Sequence, residues 1–403
     1  MVFKSLMSNY LAWISLLPLS LDILYTRFIN FDETGFFNRS PEAIIFTLVI
    51  LGISIFVWNK NKIKLPIITI LLPLSVLFLI DVYTIVFIEN AIFNGKYSYV
   101  LLLTIILILL KPPSRSEIIF AIDFFISILI VFVILSIVGI SFFSDFVLSG
   151  HASRIESLGS LLPSRLQGFF GSSAIIGMIS VTIALYYSIT KDYFLSWVVI
   201  ILMLVALVLT DSRSALVAGF VTSSFIIVHK FYHRININKK LLTVFFWLLF
   251  YLFLLGFDGF FNNYSHRIQI WSSKLTTVSQ DISSESSKDV ISKDVISKDV
   301  ISKDVIKTEN YQLSHNFLLD VYSVGGRNYL LVVLLFYLYF LYGVVVLDKG
   351  NYVGMSIGLP TFLSSLLEFG IIPTKLNTPS MFILLSLLLV FISSSEKKHL
   401  NKI

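Results

Sequence analysis

The sequence predicts an all-α fold, namely a polytopic transmembrane helical bundle of about 12 spans with a long outer loop before span 10. Hydrophobic residues form 56% of the 403 residues and charged residues only 13%, whereas soluble proteins carry roughly 25% charged residues. Long apolar runs recur along the whole chain, with short polar segments between most of them. Residues 1–403 are therefore expected to form a single membrane domain.

Twelve apolar stretches come close to the roughly 20 residues that a span requires. They lie at about residues 10–29, 42–58, 65–88, 97–110, 117–142, 171–190, 193–210, 214–229, 241–258, 329–347, 352–369 and 379–393. Pro66 and Pro73 in the third stretch predict a broken or kinked helix. The first stretch lacks a small-x-small cleavage site, so we interpret it as an uncleaved span.

The distribution of Lys and Arg among the short loops predicts which side each loop faces. With both termini in the cytoplasm, the cytoplasmic segments hold 15 of these residues and the outer short segments hold 7. This orientation places the loops at 143–170 and 259–328 outside. It also places Asp211 and Arg213 at an outer helix end, where much of the cost of burying a charge is expected to disappear.

The long outer loop contains the sequence SKDVI four times in tandem, at residues 287–306. A five-residue step turns successive Val-Ile pairs to different faces of a helix or a strand, so neither structure would gain a consistent buried side. We interpret the repeat as a flexible, charge-balanced spacer.

Composition and missing motifs exclude several classes of function. The absence of cysteine excludes disulfides, thiolate metal sites and cysteine nucleophiles. The chain has no GxxxxGK[ST], HExxH, GxSxG or DxD motif, so ATP-driven transport is not expected, and neither a metal nor a cofactor is predicted. The net charge of +6 is modest and does not indicate nucleic-acid binding.

Four places on the predicted outer face combine cationic or titratable groups with a neighbouring span. Arginine binds phosphate oxygens in a bidentate manner and stays charged in a low-dielectric site, so converging arginines are expected to hold a diphosphate. A neutral histidine is able to take a proton from an attacking hydroxyl group. Each arginine has an alternative role as an interfacial anchor, and the histidine as an ordinary loop residue. The four places contain Arg165 and Gly168; Asp211 and Arg213; Arg267 and Trp271; and His315 and Asn316.

The order and spacing of these elements resemble the O-antigen ligase and Wzy-type O-antigen polymerase superfamily. The resemblance covers roughly residues 165–345. Its elements are R-x-x-G leading into a span, S-R-[SG]-A opening the next outer-facing span, an outer arginine followed by a tryptophan, and H-N-x-x-L before a glycine-rich span entry. Here they are Arg165 and Gly168, Ser212 to Ala215, Arg267 and Trp271, and His315 and Asn316.

The resemblance implies a metal-independent, inverting glycosyltransferase of the membrane-embedded GT-C type in the bacterial inner membrane. Its partners would be an undecaprenyl-diphosphate-linked glycan donor, a glycan acceptor, the lipid bilayer, a chain-length regulator and a flippase. The resemblance also implies a role for each predicted element of the site. The long loop would close over the site as a lid. Arg213 and Arg267, helped by Arg165, would hold the diphosphate, with Asp211 positioning Arg213 and His315 assisting the acceptor hydroxyl, while Asn316, Trp271 and Gly168 contribute to substrate binding.

Three functions remain open at this stage. A polymerase would join lipid-linked repeat units into O-antigen or capsular polysaccharide, whereas a ligase would transfer the polymer to lipid A-core. The R-x-x-G entry at Arg165 favours the polymerase. A polysaccharide flippase is expected to carry charges in mid-span along a path. The charges of the candidate places gather instead at outer helix ends, and Asp81, Asp123 and Glu368 are the possible exceptions.

Overall fold

The computed structural model describes residues 9, 11–16, 113–142, 147–152, 164–170, 172–254, 330–331, 334–335, 337–347, 352–367 and 381–390. Within these ranges the protein is mostly helical, which confirms the helical class predicted from the sequence. The spans predicted at 42–58, 65–88 and 97–110 lie outside the described residues. The long loop at 259–328 and its repeat at 287–306 lie outside them as well.

The longer helices follow the apolar runs closely. Among the described residues, three helices are long and apolar enough to cross a membrane: Arg115–Phe142, Ser173–Thr190 and Arg213–Tyr232. Short helical pieces cover residues 11–16 and 337–342, and the second continues into a π-helical turn, Gly343–Leu347. The helices are α1 (Arg115–Phe142), α2 (Ser173–Thr190), α3 (Leu195–Thr210), α4 (Arg213–Tyr232), α5 (Lys239–Leu254), α6 (Val353–Leu367) and α7 (Met381–Val390).

Two short strands lie in the segment 143–170, and the sequence did not predict them. Strand β1 (Leu148–Ala152) pairs in antiparallel fashion with β2 (Ser164–Leu166), with Leu148 opposite Leu166. The backbone amide of Gln167 donates to the carbonyl of Val147 at 2.9 Å, and its side-chain amide donates to the carbonyl of Leu148 at 2.7 Å. A 3₁₀ turn at Gly168–Phe170 then leads to α2.

Helix α2 lies at the centre of the described bundle. Every residue from Ile176 to Ser188 is buried, and the helix packs against α3, α4 and α6. A Cβ atom added to Gly219 of α4 would lie 2.6 Å from Cγ1 of Val181 in α2. Helices therefore approach closely at small residues, as is typical of packing within a bilayer.

The outward faces of the helices carry large exposed apolar side chains. Val131 and Val138 of α1 are at least half exposed, and Phe253 of α5 is 76% exposed. Soluble proteins rarely leave extensive contiguous apolar surface open to water. These faces suit contact with lipid, in keeping with the helices that are long enough to span a membrane.

One end of the bundle is held together by charged side chains, and we call it the basic end. Oδ1 of Asp123 in α1 accepts a hydrogen bond from the Tyr186 hydroxyl at 2.6 Å and pairs with Nζ of Lys191 at 2.7 Å. Nζ of the buried Lys240 donates to the carbonyl of Lys191 and to Oγ of Ser196, both at 2.6 Å. Asp123 therefore stabilises the contact of α1 with the end of α2. Its charge is accounted for by these contacts and does not support a transport path of the kind expected for a flippase.

Candidate functional site

The turn between α3 and α4, at the end of the bundle opposite the basic end, holds two of the predicted site residues. Asp211 caps α3 with φ = 47° and ψ = 38°, and its amide donates to the carbonyl of Val208 at 3.1 Å. Aspartate is one of the few side chains other than glycine that adopt this left-handed conformation routinely. The chain therefore reverses within two residues, and Arg213 becomes the first residue of α4.

Asp211 is buried although it lies at a helix end. Only 1% of its side chain is exposed. The expectation that a helix-end position removes much of the burial cost is therefore wrong for this residue, because neighbouring elements cover the turn. Gly177 of α2 lies against it so closely that an added Cβ would be 2.5 Å from Cβ of Ser212, and β2 packs against α3.

Arg165 of β2 provides a charge partner for this buried carboxylate. Its Nε lies 3.6 Å from Oδ2 of Asp211. An ionised carboxylate removed from water is costly unless a cation or hydrogen-bond donors compensate it. The sequence indicated Asp211 as the partner of Arg213, and the structure adds Arg165 as a second cation beside it.

The contact with Asp211 occupies only the inner edge of the Arg165 guanidinium. Nε is buried and pairs with Asp211 by charge, without a hydrogen bond to any described residue, while the side chain as a whole is 16% exposed. In the described part of the chain, no hydrogen bond is formed by the two terminal nitrogens of Arg165. Because a guanidinium presents five donors in a planar fork, this arrangement orients the fork and leaves its outer edge available to an oxyanion.

The turn after β2 fixes the position of Arg165. Gly168 has φ = 51°, and an added Cβ would overlap the side chains of Ser136 in α1 and Ile176 in α2. The amide of Phe169 donates to Oγ of Ser136 at 3.3 Å. Gly168 therefore has a structural role at the junction of β2, α1 and α2, in addition to the substrate-binding role predicted for it.

Tyr251 of α5 belongs to the same group of residues and was not predicted from the sequence. It is 4% exposed, and its hydroxyl is buried without a hydrogen-bonding partner among the described residues. The phenol lies within electrostatic range of Asp211, Arg213 and Arg165. An unsatisfied buried polar group costs about 1–3 kcal/mol, so this hydroxyl calls for a functional explanation.

The sequence does contain a helical periodicity that places Tyr251 on the buried face of α5. Leu241, Val244, Leu248 and Tyr251 recur at intervals of three and four residues and form one buried face of α5. The signal is hidden because the intervening positions, such as Phe246 and Phe250, are also apolar. A helix that is hydrophobic all round does not reveal which face is buried.

The structure thus brings together Arg165, Asp211 and Arg213, and adds Tyr251. The other predicted site residues, Arg267, Trp271, His315 and Asn316, lie outside the described residues. Among the described residues, the three charged side chains of this group are two guanidinium groups and one carboxylate, which together carry a formal charge of +1. Such a group is suited to binding an anion.

No protein-family model, curated protein or solved structure matches this chain. What the site does is therefore inferred from its own chemistry.

Proposed function

We propose that the protein polymerises undecaprenyl-diphosphate-linked oligosaccharide units into O-antigen or capsular polysaccharide at the outer face of the bacterial inner membrane. The observation that carries the proposal is the pair formed by Arg165 and the buried Asp211, with Arg213 two residues further along the same turn. Together with the family-like order of motifs in the sequence, this pair supports a site for a lipid diphosphate.

The charges of the site fit a diphosphate better than a neutral sugar. A bound diphosphate is doubly to triply negative near neutral pH, and Arg165 and Arg213 supply two positive charges within reach of one turn. Nε of Arg165 faces Oδ2 of Asp211 at 3.6 Å. Among the described residues its terminal nitrogens form no hydrogen bond, so they can make the bidentate contacts that phosphate favours. Arg267 would add a third positive charge.

The surroundings of the site fit a ligand with a long hydrocarbon tail. Phe250 and Phe253, next to Tyr251 in α5, are 58% and 76% exposed on the outward face of the bundle. A polyprenyl chain lying in the bilayer would contact this face while its diphosphate reached the arginines. A water-soluble phosphate donor would gain nothing from these exposed rings.

In the proposed reaction the diphosphate is the leaving group. The acceptor hydroxyl oxygen forms a bond to the anomeric carbon as the bond from that carbon to the diphosphate oxygen breaks, and the diphosphate leaves with the electron pair. His315 takes the proton of the acceptor hydroxyl. The arginines stabilise the negative charge that develops on the diphosphate, a role for which a single donor is worth about 100- to 1,000-fold in rate.

The proposal includes a multi-pass arrangement with both termini in the cytoplasm. The basic end collects Arg115, Lys191, Lys230, Lys239 and Lys240 at or near the ends of neighbouring helices. Since Lys and Arg are enriched on the cytoplasmic side, the basic end is assigned to the cytoplasm. The end with Asp211 then faces the periplasm, where lipid-linked glycans are presented.

The proposal is tested with the full-length protein in lipid nanodiscs and a defined undecaprenyl-diphosphate-linked repeat unit. A ladder of longer lipid-linked products, resolved by gel or mass spectrometry, is the expected result. Arg165→Ala should slow its formation about 100-fold or more. Lys239→Ala removes the same charge from an exposed site at the basic end and should leave the ladder unchanged.

Two outcomes would contradict the polymerase. Transfer to added lipid A-core without self-extension would identify a ligase instead. Equal activity in the wild type and Arg165→Ala would show that this arginine does not take part in the reaction. The proposal would then lose the observation on which it depends.

A further inference from the structure

The hydroxyl group of Tyr251 is the least explained polar group near the site. The ring is held in place by packing, with Trp247 at a centroid distance of 5.4 Å. Its hydroxyl, however, has no hydrogen-bonding partner within the described ranges. Phenylalanine would fill the same space without burying a polar atom, and α5 already carries phenylalanine at positions 245, 246, 250 and 253.

The position of this hydroxyl distinguishes it from other buried hydroxyl groups without partners. Ser180 and Thr182 lie in the apolar middle of α2, and their hydroxyl groups are unsatisfied too. Tyr251 lies instead one turn from the end of α5, within electrostatic range of Arg165, Asp211 and Arg213. Leu248, one turn before Tyr251 on the same face of α5, lies against α4, 3.2 Å from a Cβ added to Gly219. Since α4 and α5 are consecutive antiparallel helices, Tyr251 lies one turn further towards Arg213 at the start of α4.

We propose that the Tyr251 hydroxyl donates a hydrogen bond to a phosphate oxygen of the lipid diphosphate bound by Arg165 and Arg213. This inference rests on the proposed function and adds Tyr251 of α5 to the binding residues contributed by β2 and α4. A phenol O–H donates one directed hydrogen bond without adding charge. It therefore fixes the orientation of a diphosphate that the two cations attract.

The test measures the dissociation constant of undecaprenyl diphosphate for the full-length protein in nanodiscs. Tyr251→Phe removes only the hydroxyl and should raise the dissociation constant about tenfold or more, equivalent to about 1.4 kcal/mol. Thr182→Val is the matched control because it also removes a buried hydroxyl without a partner, but away from the charges. It should leave the dissociation constant unchanged.

Arg165→Ala separates failure of this inference from failure of the proposed function. If Arg165→Ala weakens binding and Tyr251→Phe binds within twofold of the wild type, the role of Tyr251 is overturned and the diphosphate site stands. If Arg165→Ala binds as well as the wild type, the diphosphate site itself is refuted. An equal loss in Thr182→Val and Tyr251→Phe would show a general packing effect and would also overturn the role of Tyr251.

Discussion

Replacing Asp211 with asparagine should destabilise the bundle, because it leaves the buried edge of the Arg165 guanidinium without its counter-charge. Unit charges 3.6 Å apart attract by about 5 kcal/mol at an effective dielectric constant of about 20. Arg165 is partly exposed, so solvent screens part of this attraction. We expect a net loss of about 2–3 kcal/mol, below the 3–5 kcal/mol typical of fully buried pairs.

The assay is thermal unfolding of the full-length protein, followed by intrinsic tryptophan fluorescence, with a fall in Tm of roughly 5 °C expected for Asp211→Asn. Asp192→Asn serves as the control because Asp192 is exposed, and its Tm should stay close to that of the wild type. A double-mutant cycle of Asp211→Asn and Arg165→Gln measures the coupling free energy between the two side chains. A coupling energy below about 0.5 kcal/mol would refute the claim that the two side chains stabilise each other.

Four further outcomes are expected. Arg213→Ala should abolish long-chain glycan while the protein remains in the membrane; normal chain lengths would exclude a role in holding the diphosphate. His315→Ala should lower turnover more than it lowers binding of the lipid donor, so unchanged turnover would remove His315 from the mechanism. Deletion of two SKDVI copies should leave glycan length nearly normal, and complete loss of activity would contradict the spacer interpretation. Gly177→Val should lower Tm and reduce activity, because even a Cβ at this position would lie 2.5 Å from Cβ of Ser212. Overpacking of this kind costs about 1–3 kcal/mol of folding free energy, so an unaffected Tm would contradict the tight contact.

The sequence predicted the helices well where their ends are marked by charged or turn-forming residues. The run predicted at 193–210 is the helix Leu195–Thr210, and the run at 214–229 is contained in Arg213–Tyr232. Both end at sharp changes of polarity, which hydropathy detects directly.

Two features of the site could not be predicted, for different physical reasons. The strands β1 and β2 are five and three residues long, too short for an alternating pattern to distinguish them from a loop. The contact of Arg165 with Asp211 depends on how β2 packs against α3, and one sequence contains no signal for such a distant pair. Tyr251 was missed because α5 is apolar on all sides, so its buried face is not visible in the pattern.

The pairing of β1 with β2 has a consequence for how such a protein diversifies. Arg165 lies between two paired residues of its short strand, because Ser164 pairs with Ala152 and Leu166 pairs with Leu148. The connection at 153–163 contains none of these paired residues, so we expect changes in its length or composition to leave the arginine in place. Under the proposed function, recognition of different sugars is then expected to evolve in this connection independently of the contacts to the lipid diphosphate. A short epitope inserted there would test whether this end of the bundle faces the periplasm, as proposed.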